Sequence, residues 1–189
     1  MLQKISILIT LLFLCSCSHP VIYEISTRPW LYELSIKYRT PITRLHEIPT
    51  KEFDELQNNG VDIVWMMGVW KLGQYGLEFD RKQDYSKYLP NWTKEDVIGS
   101  PYAVYEYECN PSIANNGDLY LLKSEINKRG MKLMHDFVPN HLVVDAPKTK
   151  ENPEMYIRSL EGQEIDENKY TFGNSLILVK AVEYFFVKY

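Results

Sequence analysis

The strongest constraint on this chain is a unit that it carries twice: a helix-forming stretch, a glycine stop and a nearly continuous apolar run. In the first copy, Thr50 to Asn59 puts Phe53 and Leu56 on one helical face, with Thr50 placed as N-cap and Asn59-Gly60 as the stop. Val61-Asp62-Ile63-Val64-Trp65-Met66-Met67 follows, the pattern expected of a strand covered on both faces. In the second copy, Asp118 to Arg129 sets Leu119, Leu122 and Ile126 in helical register, Gly130 stops it, and Met131 to Val138 is the strand. An earlier strand candidate, Val21-Ile22-Tyr23-Glu24-Ile25, is broken before Pro29. Alternating helices and buried strands predict an α/β fold with a parallel sheet and right-handed crossovers. Such sheets hold ligands at the C-terminal ends of their strands, so chemistry is sought just beyond Met67 and Val138.

The first residues read differently. Lys4, the apolar stretch Ile5 to Cys15 and the small residues after it follow the order of a secretory signal, and the stretch is short of the roughly 20 apolar residues that span a bilayer. Leu14-Cys15-Ser16-Cys17 resembles the bacterial lipobox, which implies a lipoprotein signal segment over residues 1–17, with Cys17 lipidated as the first residue of the mature chain, and a folded domain over 18–189. A plain cleaved signal or a buried N-terminal strand are the alternatives. Of three cysteines, Cys15 and Cys17 are then accounted for, which leaves Cys109 with no disulfide partner. Ser18 after Cys17 implies an exported protein anchored by lipid to the cell envelope, at the outer membrane or the periplasmic face.

A net charge of -4 supplies no basic field to gather phosphates, so no nucleic acid partner is expected. Aromatic residues make up 13% of the chain, including 14 Tyr, and amphipathic rings in that number suit surfaces that bind sugars or proteins as well as cores. Many fall between the two repeated units, where Gly68 to Gly117 reads as a long loop rich in Tyr, Asn, Pro and Gly; a loop of that size is uncommon unless it is functional. Beyond it, the last strand ends His135-Asp136-Phe137-Val138-Pro139-Asn140-His141. Alternation turns Asp136 and Val138 one way and His135 and Phe137 the other, so a carboxylate stands inside an apolar strand and must be paired or hydrogen-bonded. A structural Asp and a catalytic Asp fit this equally well.

Asp136-Phe137-Val138-Pro139-Asn140-His141 resembles the first conserved region of the alpha-amylase family, glycoside hydrolase family 13, at the end of barrel strand three. Gly99-Ser100-Pro101-Tyr102 with Tyr107, Asn110-Pro111 and Gly117-Asp118 resembles the segment leading to the helix before that strand. Tyr23 to Arg28, and Gly60 to Trp65 with Gly68-Val69-Trp70, resemble the first and second strands of bacterial members. The likeness covers roughly residues 21 to 165. It implies the N-terminal part, about three βα units, of a TIM (β/α)8 barrel, and an enzyme class of retaining, alpha-amylase-type glycosidases acting on alpha-glucans such as maltooligosaccharides.

Residue by residue, the resemblance implies that His141 bonds hydroxyls of the sugar at the cleavage point and that Tyr102 stacks beneath it. Asp136 would be a support for an Arg that precedes the nucleophile. Asn140 would ligate a structural Ca²⁺ through its amide oxygen, although the companion calcium ligands have no match here; no other cofactor is implied. His135 and His141 as a metal pair are disfavoured, because their separation changes face and neither has a Cys or second His partner.

Retaining glycosidases need two carboxyl groups about 5–5.5 Å apart, and the family supplies them from strands four and five. After Asp136 the carboxylates lie in the polar stretch Asp145 to Glu167 and at Glu183, in no such motif, and Glu106 and Glu108 read as residues of a solvated loop. No catalytic nucleophile or acid/base residue is therefore assigned, and the chain is expected to be inactive alone. The apolar stretch Asn174 to Tyr189 has no element left to pack against in this reading. Three accounts stay open: a truncated or frameshifted amylase-type frame, a surface lipoprotein that binds glycans, and an interaction module whose Tyr-rich loop contacts protein.

Overall fold

The computed structural model describes residues 19–156, 171–172 and 175–177. The signal, Cys17 and most of the apolar C-terminal stretch lie outside the described residues. Strand β1 (Ile22–Ser26) leads directly into helix α1 (Thr27–Tyr38), a helix that the sequence reading did not foresee. Pro29 falls in its first turn, where the backbone N–H has no helical partner to lose, so the proline starts this helix rather than preventing it. A 3₁₀ turn at Leu45–Glu47 and helix α2 (Lys51–Asn58) complete the crossover to β2 (Ile63–Met67). Thr50 occupies the N-cap position of α2, although its side chain makes no capping bond. The next crossover contains β3 (Trp70–Leu72), α3 (Gln74–Asp80), a 3₁₀ turn at Lys94–Asp96 and β4 (Val104–Cys109), then α4 (Asn116–Asn127) and β5 (Lys132–His135).

Strands β1, β2 and β5 form a parallel sheet in that order, as the repeated unit predicts. One face is sealed by the helices. Val64 and Met66 on β2 are buried against Leu31 and Leu34 of α1, Phe53 of α2 and Leu122 and Ile126 of α4. Phe53 is 2% exposed, and sequestering such a side chain stabilises the fold by about 2–3 kcal/mol. The other face is only half covered: Ile63, Trp65 and Met67 alternate with the buried pair, so β2 is not the strand buried on both faces that its composition suggests. That half-covered face is the one that points inward in a closed barrel, and the described residues form an open three-stranded sheet rather than a closed one.

The segment Gly68 to Gly117 is not a loop. β3 and β4 pair antiparallel in it, with Lys71 opposite Glu106, and the Lys71 ammonium lies 3.2 Å from the Glu106 carboxylate. Glu106 and Glu108 are thus strand residues, held by main-chain pairing that the polar composition obscured. The C-terminal expectation also changes. β6 (His141–Val143) pairs with β8 (Ser175–Ile177), which pairs in turn with β7 (Thr171–Phe172), so part of the apolar stretch does find a strand to join. A short helix, α5 (Pro147–Glu151), follows β6. Val104, Val138, Leu142, Ala146 and Tyr156 pack as a second small core beneath the hairpin.

Candidate functional site at the strand ends

The C-terminal ends of β2 and β5 are joined through Asp136. Its residue position continues the face of Trp65 and Met134, which are register partners, so the carboxylate arrives beside the Trp65 ring. Asp136 Oδ1 accepts from Trp65 Nε1 at 2.9 Å, and Oδ2 accepts from the backbone amide of Gly68 at 2.6 Å. Its own carbonyl accepts from Trp70 Nε1 at 2.8 Å. The buried carboxylate is therefore satisfied by neutral donors of the neighbouring strand end.

Val138 is fixed next. Tyr107 on β4 accepts the Val138 amide at 2.7 Å through its hydroxyl and returns a bond to the Val138 carbonyl at 3.1 Å. Burial of this phenol raises its pKa, keeping it protonated as that donor role requires. Trp70 packs edge-on to both Tyr107 and His135, with ring centroids 5.5 Å apart in each pair. The residues after β5 are consequently held in place by three aromatic side chains, Trp65, Trp70 and Tyr107.

His141 and Tyr102 meet at this end of the sheet. His141 is 5% exposed and its ring hydrogen-bonds the backbone of Tyr102, while Nδ1 lies 2.7 Å from the Asn140 side-chain amide nitrogen. Burial pushes the His141 pKa below its ordinary 6.5, outweighing the opposing effect of the Tyr102 bond, so the ring is neutral at pH 7. Tyr102 is 41% exposed, and its hydroxyl reaches Met67 Sδ, at the last residue of β2, at 3.6 Å. Pro101 lies against Gly68, where a β-carbon would come within 2.8 Å of the proline side chain. Arg28, at the start of α1, donates to the carbonyls of Ile98 and Gly99, the latter at 3.0 Å, and so anchors the approach to Tyr102. Three strand-end segments thus converge: the start of α1, Met67-Gly68 and Asp136 to His141.

The other polar residues nearby have structural partners. Asp145 Oδ2 caps α3 by accepting from the amides of Gln74 and Tyr75 at 2.9 and 3.1 Å. His135 Nδ1 lies 3.2 Å from the Met66 carbonyl, and burial lowers its pKa. The His135 and His141 rings make these separate contacts and do not form a pair. Among the described residues no group of three or more His, Cys, Asp or Glu side chains is placed to hold a metal ion. The Asn140 amide nitrogen is turned to His141, and no step is derived through calcium. Cys109 is a buried free thiol whose pKa burial raises, an inert thiol rather than a reactive one.

Trp65, Trp70, Tyr107 and Gly68 were not singled out as site residues from the sequence. The signal for Trp65 was present in the alternation: once β2 and β5 are parallel neighbours, Trp65 and Asp136 share a face. Tyr107 could not be found that way, because it belongs to a hairpin that read as loop.

The architecture is that of the first strands of a parallel (β/α) barrel, with a site of aromatic, imidazole and amide groups at the C-terminal ends. No family model matches the chain. An oligo-1,6-glucosidase from Bacillus sp. (strain F5) is 28% identical over 109 residues, which are 54% of this chain and 17% of that protein. An alpha-amylase from Lactobacillus plantarum superposes with a TM-score of 0.60 at 20% identity, covering 89% of this chain and 34% of that one. A maltogenic alpha-amylase from Thermotoga neapolitana gives a TM-score of 0.60 at 21% identity, covering 88% and 34%. The chain spans about a third or less of the length of these relatives. Its resemblance is to the N-terminal portion of glycoside hydrolase family 13, the alpha-amylase family, and the partial barrel fold is theirs.

Proposed function

We propose that this chain provides the N-terminal, sugar-holding part of an alpha-amylase-type glycoside hydrolase domain acting on alpha-glucans. The observation that carries the reading is the contact between the buried His141 ring and the backbone of Tyr102, at the end of the sheet where such barrels hold ligands. An exposed tyrosine ring offers an apolar face to the C–H side of a sugar. The imidazole beneath it is bonded to the Tyr102 backbone and lies against the Asn140 amide, so it positions the tyrosine that meets the sugar. Asp136 serves as support, since both its oxygens are occupied by Trp65 and Gly68.

Binding and cleavage separate here. Asp136, Glu106 and Asp145 each have a structural partner, and ground-state sugar binding without a nucleophile and an acid lowers no barrier. The 189 residues by themselves are therefore read as binding maltooligosaccharides without hydrolysing them. Incubation with starch or maltooligosaccharides should release no reducing sugar, whereas isothermal titration with maltoheptaose should give saturable heat. Release of reducing sugar would overturn the first half of this reading, and absence of heat at millimolar sugar the second.

The N-terminal residues support an exported chain lipidated at Cys17 and anchored to the bacterial cell envelope. Palmitate labelling lost in Cys17→Ala is the expected result; labelling retained in that variant contradicts the anchor. A second reading, a non-catalytic surface lipoprotein that binds glycans or a protein through its Tyr-rich segment, is favoured by the exposure of Tyr75 and Tyr88. A glycan-binding lipoprotein and the enzyme reading share the Tyr102 site, whereas a purely protein-binding module predicts no maltoheptaose heat.

A further inference from the structure

The segment between α3 and β4 has its own hollow, which the site above does not use. Its volume is about 300 Å³, and Tyr85, Tyr88 and Trp92 line it with Asp80 and Asp96. The rings are held rather than loose. Tyr85 and Trp92 pack edge to face, with centroids 5.3 Å apart and planes at 87°, which sets two aromatic walls at right angles. Trp92 Nε1 donates to Ser86 Oγ at 3.2 Å. Asp96 caps its turn by accepting from the Thr93 amide at 2.6 Å, and Arg81 Nε donates to the carbonyls of Lys94 and Val97 at 3.1 and 3.3 Å, which closes the segment on itself. Against this fixed background Tyr88 is 77% exposed.

We propose that this hollow is a second glucan-binding surface, which takes sugar units of the same alpha-glucan chain that occupies the Tyr102 site. The proposal rests on the reading of Tyr102 and His141 as a sugar site and adds a separate place of contact. The chemistry fits a neutral sugar: aromatic faces for the C–H side of the ring and carboxylates at the margin for its hydroxyls. Continuity is the second argument. Gly99 lines the hollow, and the three residues from it to Tyr102 span at most about 11 Å, so one oligosaccharide reaches both places. Arg28 holds Gly99 to α1 and keeps that separation fixed.

The test is isothermal titration of the full chain with maltotriose and with maltoheptaose. Tyr88→Ala is the primary variant because so exposed a side chain is not needed for folding, and the Tyr88→Ala/Trp92→Ala double variant is the stronger perturbation. The expected result is an affinity for maltoheptaose lowered about threefold to tenfold for each ring lost, with maltotriose binding at Tyr102 unchanged. Tyr102→Ala should weaken both sugars. If Tyr88→Ala and the double variant keep the wild-type affinity for maltoheptaose while Tyr102→Ala loses it, the second surface is overturned and the Tyr102 site stands. If maltoheptaose binding survives in Tyr102→Ala and is lost in Tyr88→Ala, the hollow binds glucan but the Tyr102 site falls, and with it the claim that one chain occupies both places. No heat with the wild-type chain overturns both.

Discussion

Asp136 and Gly68 are joined by a 2.6 Å hydrogen bond from the glycine amide to Oδ2, and this bond ties the end of β5 to the end of β2. Oδ1 takes the Trp65 indole on the same strand end. Asp136→Asn keeps the size of the side chain but turns one acceptor into a donor facing an N–H. The midpoint of urea unfolding is expected to fall by the equivalent of about 2 kcal/mol, with the slope unchanged. An unaltered midpoint would remove Asp136 from its structural role.

Gly68 itself stands at φ +74°, a backbone conformation that a side chain resists, and a β-carbon there meets Pro101 at 2.8 Å. Gly68→Ala should destabilise the fold by about 1–3 kcal/mol. Pro101 precedes Tyr102, so the same variant is expected to weaken maltoheptaose binding as well. Full binding in a destabilised variant would show that the position of Tyr102 does not depend on this contact.

Helix α4 begins on a reciprocal cap. The Asn115 side chain accepts from the Asp118 amide at 3.0 Å, and Asp118 accepts from the Asn115 amide at 2.8 Å. Asp118 also meets His46 at 3.3 Å and Arg44 at 3.5 Å, so Asn115→Ala is the cleaner probe of the cap. A loss of about 1 kcal/mol in chemical denaturation is expected, and no loss would mean that the cap contributes nothing.

His135 is held below its ordinary pKa of 6.5, chiefly by burial, with the Met66 carbonyl and Asp136 acting the other way. Between the folded and unfolded pKa values the unfolded chain binds more protons. Its contribution to stability is therefore present above 6.5 and is lost as pH falls below 6.5 through the lowered folded value. Burial of His141 adds in the same direction. The unfolding midpoint should drop over this range in the wild-type chain and drop less in His135→Gln. A midpoint that is flat or rises on acidification contradicts the assignment.

The parallel sheet could be read from the sequence because its signals are local: Phe53 with Leu56 and Leu122 with Ile126 mark helix faces, and Gly60 and Gly130, both at positive φ, stop their turns. Two elements could not. α1 was hidden by Pro29, which reads as a breaker unless the helix start is already known. The β3–β4 hairpin was hidden because its strands, Trp70–Leu72 and Val104–Cys109, are separated by 31 residues and pair with register shifts at Lys71, so neither shows clean alternation with a turn between. Tyr102, Asp136 and His141 were candidates through the family resemblance, and the fold brings them to one end of the sheet. The contacts made by Trp65, Trp70 and Tyr107 depend on long-range pairing, which no local pattern displays.

The central claim, that Tyr102 and His141 form one sugar site, is tested most directly by nuclear magnetic resonance of the chain with isotope-labelled tyrosine and histidine during titration with maltoheptaose. The ring signals of Tyr102 and His141 are predicted to shift together and saturate at the same sugar concentration. Saturable binding that leaves both rings unmoved would contradict the account.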